Sequence, residues 1–421
     1  MSARVGIILA GGESRRMQSR RSKVLHEILG TPVLSYVVDA AAEAGVSSVI
    51  VVCNALNREP IEALLASAPI PCTTVIQGEA RGTADAVACA LPATTSEART
   101  VVVLCGDAPL IRGASLARFL EQHEQTASRV SVLSGELEDP FGYGRILRTE
   151  GRFAEIVEER DASPEQRAVR EINSGCLAFA AADLDALIAR IPQAPNGELY
   201  LTRAIDLAAA HGDRVSAFCA LAADEILGIN TRAQLAKATA VLRGRYVESH
   251  MEQGVSFTDP GSAYIAKNVR IGRDTIVEPF VVIGSDCRIG EGCHLGPFLN
   301  LRGGCSVASG SRLGSFVECV RSELGEDSRV LHHAFLGDTQ LGARVNVGAG
   351  CVFANWDGER HRAGQVGDDA FVGSGTIVVQ PAGLAAGART GAGAVVTHTV
   401  PSGETWAGIP ARPLVREERQ S

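Results

Sequence analysis

The first residues suited to chemistry lie in the segment IILAGGESRRMQSRRSKVLHEILG, residues 7–30, where an apolar run leads into a loop. This segment carries four arginines but a single lysine, Lys23. Lysine is scarce throughout the chain, since only three of the 40 basic residues are lysine. An ammonium is a compact point charge, whereas a guanidinium is a planar fork. A lysine in a chain that otherwise uses arginine therefore indicates a site that needs a compact charge. The alternative is that Lys23 is an ordinary surface lysine.

Small residues follow that apolar run directly, at Ala10, Gly11 and Gly12, and begin a loop. Small residues let backbone N–H groups approach anionic oxygens, so the loop is a candidate phosphate-binding element. It is not a P-loop, because no Gly-Lys-Ser/Thr closes it, and it lacks the GxGxxG pattern. Taken alone, the loop is interpreted equally well as a structural turn.

Apolar runs alternate with amphipathic stretches through the first 228 residues. The runs 5–9, 49–52, 73–76 and 101–104 have the pattern of buried parallel strands, and 33–44 and 83–90 that of helices. This alternation predicts a Rossmann-like α/β domain with a mostly parallel sheet over residues 1–228. Ligands of such sheets bind beyond the carboxyl ends of the strands, where LAGGESRRM and LCGDAPL both lie.

The second half has a different period. Residues 229–253 have a helical pattern and are expected to form a connecting helix or linker. Beyond it, aliphatic residues recur every six positions, at Ile271, Val277, Ile283, Ile289, Leu295, Leu301, Val307 and Leu313, with Cys319 in step. A hexapeptide period predicts a left-handed parallel β-helix, here over residues 254–421.

Two further details follow from that period. Residues 18 apart stack on successive coils, so Cys287 is expected over Cys305. The register slips by one residue before Leu324, and it is broken at residues 354–365, ANWDGERHRAGQ. This break must be a loop outside the coils, and such loops often carry function.

Composition narrows the class of protein. A net charge of −8 argues against a general nucleic-acid or membrane-surface binder. No apolar run approaches membrane-spanning length, and the first residues lack the cleavage region of a signal peptide, so no membrane insertion is expected. Eleven scattered cysteines without a CxxC pair are typical of reduced thiols in a cytoplasmic protein.

Eight motifs occur in order along the first half: LAGGESRRM…SKVLHEILGTPVLSYVVDAA, QGEARGTADAV, VLCGDAPLI, GYGRI, IVEERDA, EINSG, GELYLT and GINTR. Together they resemble the bacterial family of bifunctional N-acetylglucosamine-1-phosphate uridylyltransferases / glucosamine-1-phosphate N-acetyltransferases, and the resemblance covers essentially the whole chain. It implies that a sugar phosphate oxygen attacks the α-phosphorus of UTP and expels pyrophosphate. An anionic phosphate needs no base, so catalysis is mostly positioning and charge neutralisation.

The resemblance implies roles for single residues of the first half. The backbone of Leu9, Ala10, Gly11 and Gly12 would bind the nucleotide, and Arg16 and Lys23 would hold its phosphates. The uracil edge would be read by Gln77, Gly82 and Thr83. Mg²⁺ would be ligated through oxygen by Asp107 and Asn230. The sugar would be held by Gly144, Glu158, Asn173 and Asn230, together with Tyr200.

Other interpretations remain open for two of these residues. Asp107 follows a strand and could simply cap the next helix. Glu158 stands beside Glu159 and could belong to a solvated run of charges.

In the second half, His332 in VLHHAFLGD takes the place of the family's catalytic histidine, a base for acetyl transfer from acetyl-CoA. A histidine packed in the core or in a ladder is the alternative, because His333 beside it shows that this turn tolerates imidazole. The residues implied for the acetyl acceptor or CoA are Arg302, Asn346, Ala349, Asn355, Ser374, Ala392 and Arg412. Hexapeptide helices of this kind usually trimerise, so a homotrimer is expected.

The chain departs from the family in both halves. Ser14 and Arg15 stand where the family has a glycine and a threonine, a detail that leans toward nucleotidylyltransferases acting on molybdenum cofactor. In the second half Val320 and His361 replace lysines, and Phe335 replaces a tyrosine. Two lost charge-assisted hydrogen bonds would cost roughly 3–6 kcal/mol of acceptor binding. Arg360 and Arg362 flank His361 and could compensate.

The sequence therefore predicts a cytoplasmic, Mg²⁺-dependent enzyme that converts UTP and N-acetylglucosamine 1-phosphate to UDP-N-acetylglucosamine, joined to a β-helix that acetylates glucosamine 1-phosphate. Three alternatives stay open. The β-helix is a silent trimerisation scaffold, or it acylates another amino sugar, or the first half uses another nucleoside triphosphate.

Overall fold

The computed structural model describes residues 3–12, 14–194 and 197–413. The chain divides into two units, residues 1–241 and 242–421, and the boundary lies inside the helix Arg232–Glu252. Within the described residues, no helix is both long enough and apolar enough to cross a bilayer.

The strands of the first unit are Ala3–Leu9 (β1), Glu27–Ile28 (β2), Thr31–Pro32 (β3), Ser48–Cys53 (β4), Cys72–Ile76 (β5), Ala98–Cys105 (β6), Val130–Glu136 (β7), Arg145–Thr149 (β8), Arg152–Val157 (β9), Glu171–Ala180 (β10) and Val215–Leu221 (β11). The α-helices are Val33–Glu43 (α1), Arg58–Leu65 (α2), Thr83–Ala90 (α3), Gly113–Thr126 (α4), Pro164–Arg167 (α5), Leu184–Ala189 (α6), Arg203–His211 (α7) and Arg232–Glu252 (α8). Short 3-10 helices occur at Arg15–Met17, Lys23–Leu25, Leu91–Ala93, Ala223–Glu225 and, in the second unit, Pro260–Ser262.

One sheet organises the first unit, in the order β11-β7-β10-β6-β1-β4-β5. Neighbours β6, β1, β4 and β5 run parallel, which confirms the predicted parallel sheet. Strand β10 lies antiparallel between β6 and β7 and also carries the hairpin β8–β9. The mostly parallel sheet therefore has an antiparallel insertion at the side where β8, β9 and β10 come together.

Both faces of this sheet are covered, because successive side chains of a strand point to opposite faces. Ile8 of β1 packs in one apolar cluster with Val51 and Leu104, whereas Ile7 packs in the other with Val52 and Val103. This arrangement accounts for the continuous apolar runs in the sequence.

The second unit is a parallel β-helix with three sides. The first side contains Ser256–Phe257, Ile276–Val277, His294–Leu295, Arg312–Ser315, Arg329–His332, Asn346–Val347, Phe371–Val372, Arg389–Thr390, Thr405–Ala407 and Arg412–Pro413. The second contains Tyr264–Ile265, Val282–Ile283, Asn300–Leu301, Glu318–Val320, Phe335–Gly337, Val352–Ala354, Ile377–Val379 and Val395–Val396. The third contains Arg270–Ile271, Arg288–Ile289, Ser306–Val307, Glu323–Leu324, Thr339–Leu341 and Gly364–Val366.

The hexapeptide register predicted from the sequence is confirmed. Ile271 pairs with Ile289 and Ile289 with Val307, so residues 18 apart lie on neighbouring coils. Every residue of the predicted series from 271 to 319 is at most 6% exposed. After the one-residue slip Val307 pairs with Leu324. Gln340 pairs with Gln365, which is 25 residues further on, so this coil is longer than its neighbours. The extra residues follow the strand Val352–Ala354 and fall in the predicted loop 354–365.

Candidate active site

The loop after β1 is held from behind by two asparagines. Asn57 Nδ2 donates to the Ala10 carbonyl at 2.9 Å, and Asn54 Nδ2 donates to the Gly11 carbonyl at 3.0 Å. Within the described part of the chain, no acceptor takes the amide hydrogens of Gly11 and Gly12. The Ala10 and Gly11 carbonyls are thus fixed by hydrogen bonds, while the N–H groups of Gly11 and Gly12 stay available to an anion. Neither asparagine was predicted, because both follow a different strand and no motif marks them.

Lys23 begins the short 3-10 helix Lys23–Leu25, and its backbone N–H donates to Ser14 Oγ at 2.7 Å. Its ammonium donates to the Asp107 carboxylate and, at 2.9 Å, to Asn230 Oδ1. The lysine and both predicted metal ligands therefore meet at one point, although they are far apart in the sequence.

Asp107 and Asn230 are brought together by backbone contacts at the carboxyl end of the sheet. Asp107 follows β6, and its carbonyl accepts from the Ile229 N–H at 2.8 Å. The Asn230 N–H donates to Gln234 Oε1 at 2.9 Å at the start of α8.

The Asp107 carboxylate and the Asn230 amide oxygen both contact the Lys23 ammonium. Oxygen ligands of these two kinds would also suit Mg²⁺. No cluster of three or more His, Cys, Asp or Glu side chains suited to a metal occurs among the described residues. A metal held only by protein ligands therefore does not fit here, whereas one shared with a nucleotide does.

Gln77 follows β5, is 8% exposed and lies near the same loop. Its Nε2 donates to the Gly82 carbonyl at 3.1 Å and to Asp85 Oδ2 at 2.7 Å. Gly82 needs to be glycine, since its φ is +121° and an added Cβ would lie 2.5 Å from the Leu199 carbonyl oxygen. Thr83 Oγ1 accepts from the Leu201 N–H at 2.9 Å, so this hydroxyl fixes the start of α3.

Four of the five predicted sugar residues lie around the hairpin β8–β9, whereas Asn230 lies at the Lys23 ammonium. The Gly144 carbonyl accepts from the Asn173 N–H at 2.9 Å, and an added Cβ at Gly144 would lie 3.5 Å from Glu158 Oε2. Glu158 and Tyr200 line a cavity of about 600 Å³. Burial raises the pKa of the Glu158 carboxyl above its ordinary value. Tyr200 Oη accepts from Arg160 Nη2 at 2.8 Å.

Arg16 is exposed on the 3-10 helix Arg15–Met17. Among the described residues, no carboxylate forms an ion pair with its guanidinium. The structure thus gathers Lys23, Asp107 and Asn230 directly and leaves Arg16 at the surface.

In the second unit, four of the predicted residues follow one edge of the β-helix. The Gly350 N–H donates to the His332 carbonyl, Gly375 to Ala349 and Gly393 to Ser374, at 3.3, 2.7 and 2.8 Å. The pairing of Asn346 with Phe371 and of Phe371 with Arg389 places Ala392 on the next coil in the same register. His332 is exposed on this edge.

His333, not His332, belongs to a ladder. Its ring stacks on Phe316 with centroids 4.9 Å apart, and Phe316 stacks in turn on Phe298 and Phe298 on Phe280. All three phenylalanines are about half exposed. The side chain of His332 is therefore left out of the stack.

Most of the basic side chains near Val320, Phe335 and His361 contact an acidic side chain of the same unit. Arg321 binds Asp338 through two hydrogen bonds of 2.6 and 2.8 Å, and this contact lowers the pKa of the Asp338 carboxyl. Asn355 Nδ2 donates to Asp338 Oδ2 at 2.6 Å, and His361 Nδ1 lies 3.6 Å from the same oxygen. Arg362 pairs with Asp357 at 2.6 Å.

The remaining positions are apolar or lie elsewhere. Val320 is 6% exposed, and Phe335 lies in register with Glu318. Arg302 pairs with Glu318 at 3.3 Å. Arg412 is exposed in the strand Arg412–Pro413.

Comparison with known proteins finds a family model for part of the first half and relatives that match most of the chain. A family model described as the MobA-like NTP transferase domain matches residues 6–174. The protein named bifunctional protein GlmU from Syntrophotalea carbinolica is 38% identical over 94% of this chain and 92% of its own length. The GlmU proteins of Thermobifida fusca and Heliobacterium modesticaldum are 41% and 38% identical, over 94% and 96% of this chain and 90% and 95% of theirs.

Proposed function

The chain belongs to the family of the bifunctional protein GlmU, and from this premise we propose that it uridylylates N-acetylglucosamine 1-phosphate with UTP. It is a nucleotidyltransferase by family and by its NTP transferase domain. The observation that carries the choice of site is the convergence of Lys23, Asp107 and Asn230.

The proposed reaction relies on positioning. The sugar phosphate oxygen forms a bond to the α-phosphorus of UTP while the bond to pyrophosphate breaks, and no proton need be removed from the nucleophile. The backbone N–H groups of Gly11 and Gly12 donate hydrogen bonds to phosphate oxygens. The Lys23 ammonium exchanges its contact with Asp107 for one with the phosphates. Asp107 and Asn230 would hold Mg²⁺, which when bound neutralises charge on the triphosphate.

Sugar recognition is proposed for the cavity beside the hairpin β8–β9. Glu158 would accept from a sugar hydroxyl, and the Gly144 and Asn173 backbone would face the ring. The cavity is bordered by Arg203 and Tyr200, which limits the size of the sugar that fits.

For the β-helix we propose acetyl transfer from acetyl-CoA with His332 as the base, in a homotrimer. The edge formed by His332, Ala349, Ser374 and Ala392 supports this site. Because Val320 is buried and apolar and Arg321 is taken by Asp338, the acceptor phosphate would be held weakly. An acceptor other than glucosamine 1-phosphate is therefore the second candidate. All eleven cysteines are free thiols, which supports a cytoplasmic location.

The test is pyrophosphate release across UTP, CTP, ATP and GTP, each with N-acetylglucosamine 1-phosphate and glucose 1-phosphate. UTP with the N-acetylated sugar should be used best. Asp107→Asn should lower kcat at least about a hundredfold, whereas Asp213→Asn, away from these residues, should leave it unchanged. A preference for another nucleotide, or full activity in Asp107→Asn, would overturn the proposal.

A second assay addresses the β-helix. Thiol release from acetyl-CoA is measured with glucosamine 1-phosphate, with other amino sugars and with none. Release with glucosamine 1-phosphate supports the proposed acceptor, and release only with another amino sugar supports the second candidate. No release with any of them would make the β-helix a scaffold.

A further inference from the structure

The amide group of Gln77 is held in a single orientation. Both of its N–H groups point away from the glycine loop, one to the Gly82 carbonyl and one to Asp85 Oδ2. Its Oε1 faces the glycine loop instead: a Cβ added to Gly11 would lie 3.5 Å from this oxygen. Among the described residues no donor reaches Oε1.

Asp85 is the residue that fixes this orientation. It lies in the first turn of α3, is 6% exposed, and accepts from Arg81 Nη2 through Oδ1 at 2.7 Å. A carboxylate has acceptor sites only. If the Gln77 amide rotated by half a turn, its oxygen would face both the carboxylate and the Gly82 carbonyl. Two acceptors would then meet without a proton between them in a buried place, which is costly.

We propose that Asp85 is a positioning residue for nucleotide choice, acting by presenting Gln77 Oε1 as a fixed hydrogen-bond acceptor to the base. This inference deepens the proposed function and rests on it, since it needs a nucleotide base beside Gln77. On the pairing edge of uracil the only donor is N3–H, between two carbonyl oxygens. A fixed acceptor that reads uracil must therefore bind N3–H.

The consequence for other bases follows from their edges. Cytosine has an unprotonated acceptor at N3, which would oppose Oε1. Thymine presents the same N3–H as uracil, so Asp85 gives no discrimination between UTP and dTTP. The selection is thus against cytosine and is carried by a side chain that does not touch the base.

The variant Asp85→Asn tests this. In the variant the amide NH₂ can face Gln77 while Oδ1 still accepts from Arg81, so only the Gly82 carbonyl then opposes the rotated Gln77 amide. We expect the ratio of kcat/KM for UTP over CTP to fall about tenfold, mainly through KM. The ratio for UTP over dTTP should stay unchanged. Arg81→Ala, which removes the other partner of the carboxylate but leaves the carboxylate, should keep the UTP over CTP ratio.

A double-mutant cycle separates positioning from general damage. In Gln77→Leu the ratio should already be low, and adding Asp85→Asn should not lower it further. Asp85→Ser is the second variant if Asp85→Asn unfolds, since it also removes the carboxylate that opposes the rotated amide, and the same loss is expected.

Two results would overturn the inference. One is an unchanged UTP over CTP ratio in both folded Asp85 variants, and the other is a further fall when Asp85→Asn is added to Gln77→Leu. Either leaves the proposed function intact, because wild-type turnover of UTP is measured separately. A wild-type protein that does not use UTP overturns the proposed function and this inference together.

Discussion

Ser14 Oγ accepts a hydrogen bond from the backbone N–H of Lys23 at 2.7 Å. Ser14 is one of the two positions in the first half where the resemblance implies a departure from the family. The departure thus ties the glycine loop to the residue proposed to hold the phosphates. This hydrogen bond gives a local physical reason for the serine that does not require a change of substrate.

Ser14→Ala removes that hydrogen bond and should loosen Lys23 relative to the loop. A hydrogen bond of this kind contributes about 1 kcal/mol, so kcat/KM for UTP should fall roughly fivefold with little change in thermal stability. Ser67→Ala, whose hydroxyl donates to the Leu64 carbonyl on the surface, is the matched control. Pyrophosphate release gives kcat/KM for both variants. Equal values in Ser14→Ala and Ser67→Ala would contradict this role of Ser14.

Lys23→Arg tests whether the rarity of lysine has a physical cause. Asp107 and Asn230 meet a single ammonium, and a planar fork with a longer reach would displace one of them. We expect kcat/KM to fall at least tenfold even though the charge is kept. Lys237→Arg, on the surface of α8, should have wild-type activity. Wild-type activity in Lys23→Arg would show that this lysine is not needed as such.

Much of the fold could be predicted because its signals are periodic. Ile271 and Val307 are far apart in the chain, yet the six-residue period alone places them on one side of the β-helix, and their pairing through Ile289 confirms it. The parallel strands β1 and β4 were also predicted, since both are continuous apolar runs. Strand β10 escaped prediction as an antiparallel neighbour of β6, because residues 171–180 carry no signal for direction.

Residues of the candidate site could be proposed from the sequence, but the contacts between them could not. Asp107 and Asn230 could be named from motifs, whereas the backbone hydrogen bond from Ile229 that joins them depends on the path of the chain. Asn54, Asn57 and Asp85 were missed for a related reason. Each one supports a neighbour from behind, and no spacing in the sequence reports such a contact.

Glu158→Gln should raise stability and weaken sugar-phosphate binding, and the change in stability should depend on pH. Burial raises the pKa of this carboxyl, so the folded protein binds more protons than the unfolded chain between the two pKa values. Stability then falls as pH rises through that window. The variant should therefore have a higher free energy of unfolding than the wild type near about pH 7.5, and the difference should vanish below about pH 4.

The same variant should bind the sugar phosphate less well, because an amide cannot replace the negative charge. Urea denaturation at the two pH values and the KM for sugar phosphate are the measurements. Glu97→Gln, at an exposed position just before β6, serves as the control. A lower stability of Glu158→Gln at neutral pH would show that the carboxylate is favoured by its surroundings, against this account.

Neighbouring histidines allow the second site to be tested with a built-in comparison. His332 lies unstacked on the edge shared with Ala349 and Ser374, whereas His333 stacks on Phe316 with centroids 4.9 Å apart. If His332 is the base, His332→Ala should lower thiol release from acetyl-CoA by at least about a hundredfold while pyrophosphate release from UTP stays unchanged. His333→Ala should instead lower the free energy of unfolding by about 1 kcal/mol, because the stack on Phe316 is lost. Its thiol release should stay near the wild-type rate. Equal loss of thiol release in both variants would mean that this corner supports the coil and that His332 has no chemical role of its own.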